Sequence, residues 1–102
     1  MLQDEMERPK EAEGSLAEAL VLYRELANSN LRLYQPAVAK TLNILANLYA
    51  KTHRVEEAEK AFRETLLIRW GLAKLNPGVY RQDVAATLHD WANMYHSTNG
   101  GE

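Results

Sequence analysis

An all-α fold is predicted, an antiparallel helix-hairpin solenoid of about two 46-residue repeats with four main helices. Three observations carry this. Compared with itself at an offset of 46 residues, the 102-residue sequence matches at eighteen positions, from Arg8/Arg54 to Thr52/Thr98, and a fixed period of about 20–50 residues marks a repeat architecture. Apolar residues recur at helical rather than strand spacing. The triplet Asn76-Pro77-Gly78 separates two such stretches, as expected where proline ends a helix.

The first helix is placed at 9–29, with Ala12, Leu16, Ala19, Leu20 and Leu26 facing inward. The second is placed at 36–51: Pro36 suits a first helical residue, and Val38, Leu42, Leu45, Ala46 and Tyr49 form one face at i, i+4, i+7, i+8 and i+11. Thr52-His53 makes a short connection to the third helix, 54–75, which buries Ala58, Phe62, Leu66 and Leu72. The fourth is placed at 82–98 and repeats the second through Val84, Leu88, Trp91, Ala92 and Tyr95, before Gly100-Gly101 forms a flexible tail. The order is long, short, long, short, within a single array spanning 1–102.

Small side chains at Ala12, Ala46, Ala58 and Ala92 let adjacent helix backbones approach while aromatic residues fill the spaces between them. Gly14 and Gly71 fall inside helices at a cost of about 1 kcal/mol each relative to alanine, so each helix is expected to bend or fray there. The glutamates at Glu11/Glu13 and Glu56/Glu57 sit at helix starts, where carboxylates favour the positive end of the macrodipole.

Composition narrows the function. The formal charge is −2 with no long run of like charge, which gives no reason to expect a nucleic-acid partner. There is no cysteine, in keeping with a reducing, cytoplasmic setting. No secretory leader pattern opens the sequence and no stretch of 18 apolar residues occurs, so no membrane association is expected.

Small residues at Ala46 and Ala58, large ones at Leu42, Leu45, Tyr49 and Phe62, and the helix-turn-helix unit together resemble the tetratricopeptide repeat. More narrowly, the run from Val38 to Tyr49 resembles the long-repeat variety of kinesin light chains and many bacterial arrays. Three features depart from the family pattern. The period exceeds the usual 34 residues, Thr52-His53 replaces a common turn glycine and implies a different turn, and Thr65 stands where alanine is usual. The resemblance implies a concave groove, lined by the second and fourth helices, that holds an extended peptide or a partner helix through Asn43, Asn47, His89 and Asn93.

The spacing of residues leads to the same stripe. Lys40, Asn43, Asn47 and Ala50 share one face beside the buried one, and Gln82, Ala86, His89, Asn93 and His96 form its counterpart. An asparagine amide both donates and accepts, so it pairs with a peptide backbone whatever the side chains. The expected peptide-binding residues are therefore Lys40, Asn43, Asn47, His89, Asn93 and His96. The bland alternative is that the asparagines are solvated or bond to a neighbouring helix.

Reaction chemistry finds no support. His89 and His96 lie seven residues apart, against the i, i+3 or i, i+4 spacing of paired helical metal ligands. Ser15, Ser29 and Ser97 lie in no nucleophile elbow, and no glycine-rich phosphate loop occurs. The expectation is a non-enzyme without catalytic residues, metal or cofactor: a protein-binding scaffold or adaptor. Terminal units of a solenoid need a polar cap or a neighbour, and none is evident. The alternative expectation is thus a self-assembling module, its open array ends completed by another copy as a homodimer or filament, or else a piece of a longer array.

Overall fold

A computed structural model describes residues 2–99, with side chains described over residues 8–97. Four helices account for nearly all of it: α1 (Leu2–Ser29), α2 (Leu31–Lys51), α3 (Val55–Leu75) and α4 (Pro77–Asn99). Among the described residues there is no strand. Each helix packs against the next, α1 on α2, α2 on α3 and α3 on α4, while α2 and α4 touch only slightly. This is the expected all-α hairpin array, with extents of 42 × 29 × 22 Å.

The helix limits differ from the sequence reading. α2 starts at Leu31 instead of residue 36, α4 at Pro77 instead of residue 82, and α1 at Leu2 instead of residue 9. With lengths of 28, 21, 21 and 23 residues, the long-short alternation is absent. The joints are single asparagines related by the repeat. Asn30 (φ −148°, ψ 88°) and Asn76 (φ −146°, ψ 79°) each interrupt the helical path for one residue. Asn30 Oδ1 accepts the Leu33 backbone N–H at 3.2 Å, and the Asn76 carbonyl accepts from Val79 and Tyr80. An asparagine cap satisfies donors that open every helix, so helix formation begins there and runs through Pro36, which lacks only one donor.

The turn between α2 and α3 also differs from expectation. His53 has φ 63°, the left-handed conformation for which glycine is usual, so the turn keeps the glycine geometry with histidine in it. Thr52 N–H bonds the Leu48 and Tyr49 carbonyls at 3.1 and 3.2 Å, and Arg54 N–H bonds Tyr49 at 2.8 Å. These close the carbonyls left open at the end of α2.

The core lies between α2 and α3. Val38, Leu42 and Ala46 meet Ala58, Ala61 and Phe62, with Ala27 of α1 and Met94 of α4 closing its two sides. Ala46, Ala58 and Phe62 are fully buried, which is the small-large packing read from the sequence. Thr65 is fully buried too, and its hydroxyl donates to the Ala61 carbonyl at 2.7 Å, so the atom that distinguishes it from alanine is satisfied inside its own helix.

Four positions assigned to packing are exposed instead: Ala12 and Leu26 on α1, and Leu88 and Ala92 on α4. Tyr95 joins them at 40% exposure. Their repeat equivalents Ala58, Leu72, Leu42 and Ala46 are buried and Tyr49 is half-buried, because α2 and α3 face each other, whereas the corresponding faces of α1 and α4 have no neighbour. Trp91 is half-buried and stacks on Phe62 with ring centres 5.8 Å apart. Trp70 is 49% exposed. Gly14 and Gly71 lie in uninterrupted helices, not at breaks. The Gly100-Gly101 tail lies outside the described residues.

Two ion pairs tie α1 to α3. Arg24 and Glu64 meet at 2.6 Å in an exposed pair. Arg54 donates through Nη2 and Nη1 to Glu13 at 2.5 and 3.1 Å while its guanidinium lies 4.7 Å from the Tyr49 ring centre. The hydrogen bond from Arg54 holds the Glu13 carboxyl below its ordinary value.

Candidate functional site

A polar seam runs through the layer where α2, α3 and α4 converge. Asn43 and Asn47, one turn apart on α2, both donate through Nδ2 to Asp90 Oδ2 on α4, at 2.9 and 3.0 Å. The Thr87 hydroxyl accepts from Arg69 Nη1 at 2.9 Å and lies 3.0 Å from Asn43 Oδ1 and 3.1 Å from the Asp83 carbonyl. Arg69 also reaches the Asp83 carbonyl and Asn43 Oδ1 at 3.3 and 3.4 Å. Thr87 is fully buried and Asn43 nearly so. Every buried member is thus paired, the condition under which a polar network rigidifies an interface.

Beside this seam, α2 and α4 border an open depression of about 410 Å³ lined by Asn47, Ala50, Lys51, Asp90, Asn93, Met94 and Ser97. One Asp90 oxygen carries both asparagine bonds. The lining combines an ammonium, a carboxylate, two amides and a hydroxyl around the apolar Ala50 and Met94. Such a surface offers both donors and acceptors to a bound chain.

The six sequence-derived candidates are divided by this geometry. Asn47 and Asn93 line the depression. Asn43 is turned into the seam, and Asn47 also gives its amide N–H to the neighbouring helix. Lys40, His89 and His96 are exposed but outside the depression. Arg69, Thr87 and Asp90 were not singled out as functional residues. A signal did exist for Asp90, whose repeat equivalent is Ile44. A carboxylate in place of an apolar residue marks a changed environment. Arg69 carried a similar signal, since its repeat equivalent is Tyr23, but its partners are brought together only by the stacking.

Among the described residues, no three or more His, Cys, Asp or Glu side chains converge as a metal set would require. Nor is any described helix long and apolar enough to cross a membrane.

Residues 38–69, from the buried face of α2 to Arg69 of α3, match the family model described as "Tetratricopeptide repeat". The match names the repeat and not its long-repeat variety. No curated protein and no solved structure matches the chain.

Proposed function

We propose, for a chain whose residues 38–69 are a tetratricopeptide repeat, that the surface between α2 and α4 holds an extended peptide or a helix of a partner protein. Tetratricopeptide repeats mediate protein–protein interaction and are typically non-catalytic. The observation that carries the reading is the depression that places Asn47 and Asn93 on facing helices with Lys51, Asp90 and Ser97 around them. Asn93 is the exposed amide there. Asn47 has a structural task as well, holding α4 to α2 through Asp90.

The groove is tested by peptide display on the native chain and on Asn93→Arg, whose long side chain fills the depression while Asn43, Asn47 and Asp90 themselves stay unchanged. The native chain is expected to enrich a common motif and the variant, equally helical, to lose it. No enrichment, or equal enrichment in both, would sink the groove reading.

A second reading, self-assembly through the open ends of the array, is favoured by Leu26 on α1 and Leu88 on α4, which are 42% and 46% exposed. The groove and the ends are separate surfaces, so the two readings are compatible.

A further inference from the structure

The repeat carries information about what covers the two open faces. On α2, Leu42, Ala46 and Tyr49 lie against the core shared with α3, and the 46-residue offset carries these to Leu88, Ala92 and Tyr95 of α4. On α3, Ala58 and Phe62 lie in that core and Thr65 and Leu72 are buried, and the offset carries these four back to Ala12, Leu16, Ala19 and Leu26 of α1. Leu42 and Leu72 are 4% and 6% exposed, but their identical counterparts Leu88 and Leu26 are 46% and 42% exposed. The chain therefore displays, on opposite ends, both halves of an interface whose assembled form it contains in its middle.

Where the halves depart from identity, Trp91 in place of Leu45 is already stacked on Phe62 within the chain, so the open α4 face is carried by Leu88, Ala92 and Tyr95. Ala19 replaces Thr65, whose hydroxyl bonds only its own helix, so no cross-helix bond is lost.

A polar clamp is repeated with the same register. Arg54 binds Glu13 and covers the Tyr49 ring, and the offset carries these three residues to Arg8, Glu59 and Tyr95 without a change of identity. Tyr95 already donates its hydroxyl to Glu59, so ring and carboxylate stand together at the end of the stack. Arg8 is exposed on α1, and among the described residues α1 has no contact with α4. The other α1–α3 tie, Arg24–Glu64, becomes Trp70 against Glu18, and Glu18 borders a shallow surface depression with Val21 and Leu22.

We propose that a second copy of this chain stacks its α1 on α4 as α3 stacks on α2, with its Arg8 clamped by Tyr95 and Glu59. The inference rests on the self-assembly reading and specifies its interface. Because the joined surfaces differ, the contact is heterologous: it leaves one open face at each end and adds further copies unless the rotation closes a ring.

Sedimentation velocity across a wide concentration range tests this on the native chain, Arg8→Glu, Glu59→Arg and the double variant, with circular dichroism confirming equal helicity. The native mass is expected to increase with concentration. Each single charge reversal is expected to weaken association roughly tenfold or more, since it replaces attraction by like-charge repulsion at a close pair. The double variant, which restores opposite charges, should recover most of that loss. A monomer at every concentration would overturn this interface and the self-assembly reading together, leaving the faces to another protein or to further repeats. Assembly insensitive to both reversals would overturn this interface while leaving self-assembly in place.

Discussion

At the scale of single residues, the repeat provides paired experiments in which one side chain occupies two environments. Ala46 is fully buried between α2 and α3, whereas its equivalent Ala92 is exposed on α4. Leucine at position 46 has no room, and overpacking of a filled core costs about 1–3 kcal/mol. At position 92 it projects into open space, where substitutions usually lie within about 0.5 kcal/mol of neutral. Urea denaturation at low protein concentration is expected to show a clear loss for Ala46→Leu and almost none for Ala92→Leu. An unchanged midpoint for Ala46→Leu would refute the packing described here. Thr65 shows that identity alone does not decide burial, since its hydroxyl is neutralised by the Ala61 carbonyl.

At the scale of elements, the joints decide the architecture. A single asparagine suffices between α1 and α2 and again between α3 and α4, because the chain leaves the helical path for one residue and its neighbours recapture the open backbone groups. Between α2 and α3 the reversal depends on His53 at φ 63°. A left-handed conformation costs a non-glycine residue about 1–2 kcal/mol, and glycine gives back about 0.5–1 kcal/mol through its looser unfolded state. His53→Gly is therefore expected to stabilise the chain by about 0.5–1 kcal/mol, read as an increased denaturation midpoint. A lower midpoint would mean that the imidazole itself supports the turn.

At the scale of the whole molecule, distant elements are joined by polar contacts that bridge the apolar layers. The Arg54 pair links the start of α3 to Glu13 on α1, and that contact holds the Glu13 carboxyl below its ordinary value of 4.5. A carboxylate with a depressed folded-state value stabilises the fold fully above its unfolded-state value and loses that contribution as pH falls through the folded one. The melting temperature of the native chain should accordingly fall faster below about pH 4.5 than that of Glu13→Gln, and the two should converge in stronger acid. Parallel curves would show that the contact adds nothing to stability. The same three residue types recur at Arg8, Glu59 and Tyr95, which the proposed stacking of a second copy would bring together.

The helical class, the 46-residue period, the small-large packing of Ala46, Ala58 and Phe62, and a polar stripe including Asn47 and Asn93 were all legible in the sequence. They are consequences of spacing along a helix, which a linear pattern records directly. The helix starts were less legible, because Pro36 is a conspicuous start signal and the Asn30 cap a quiet one. What only the tertiary structure decided is which copy of each repeated residue is buried and which polar residues meet. Leu42 and Leu88 carry the same local signal, but burial depends on having a neighbour on both sides, and only the middle of the stack provides it. Asn43, Arg69, Thr87 and Asp90 lie on three helices, and their mutual bonds exist only once those helices are packed.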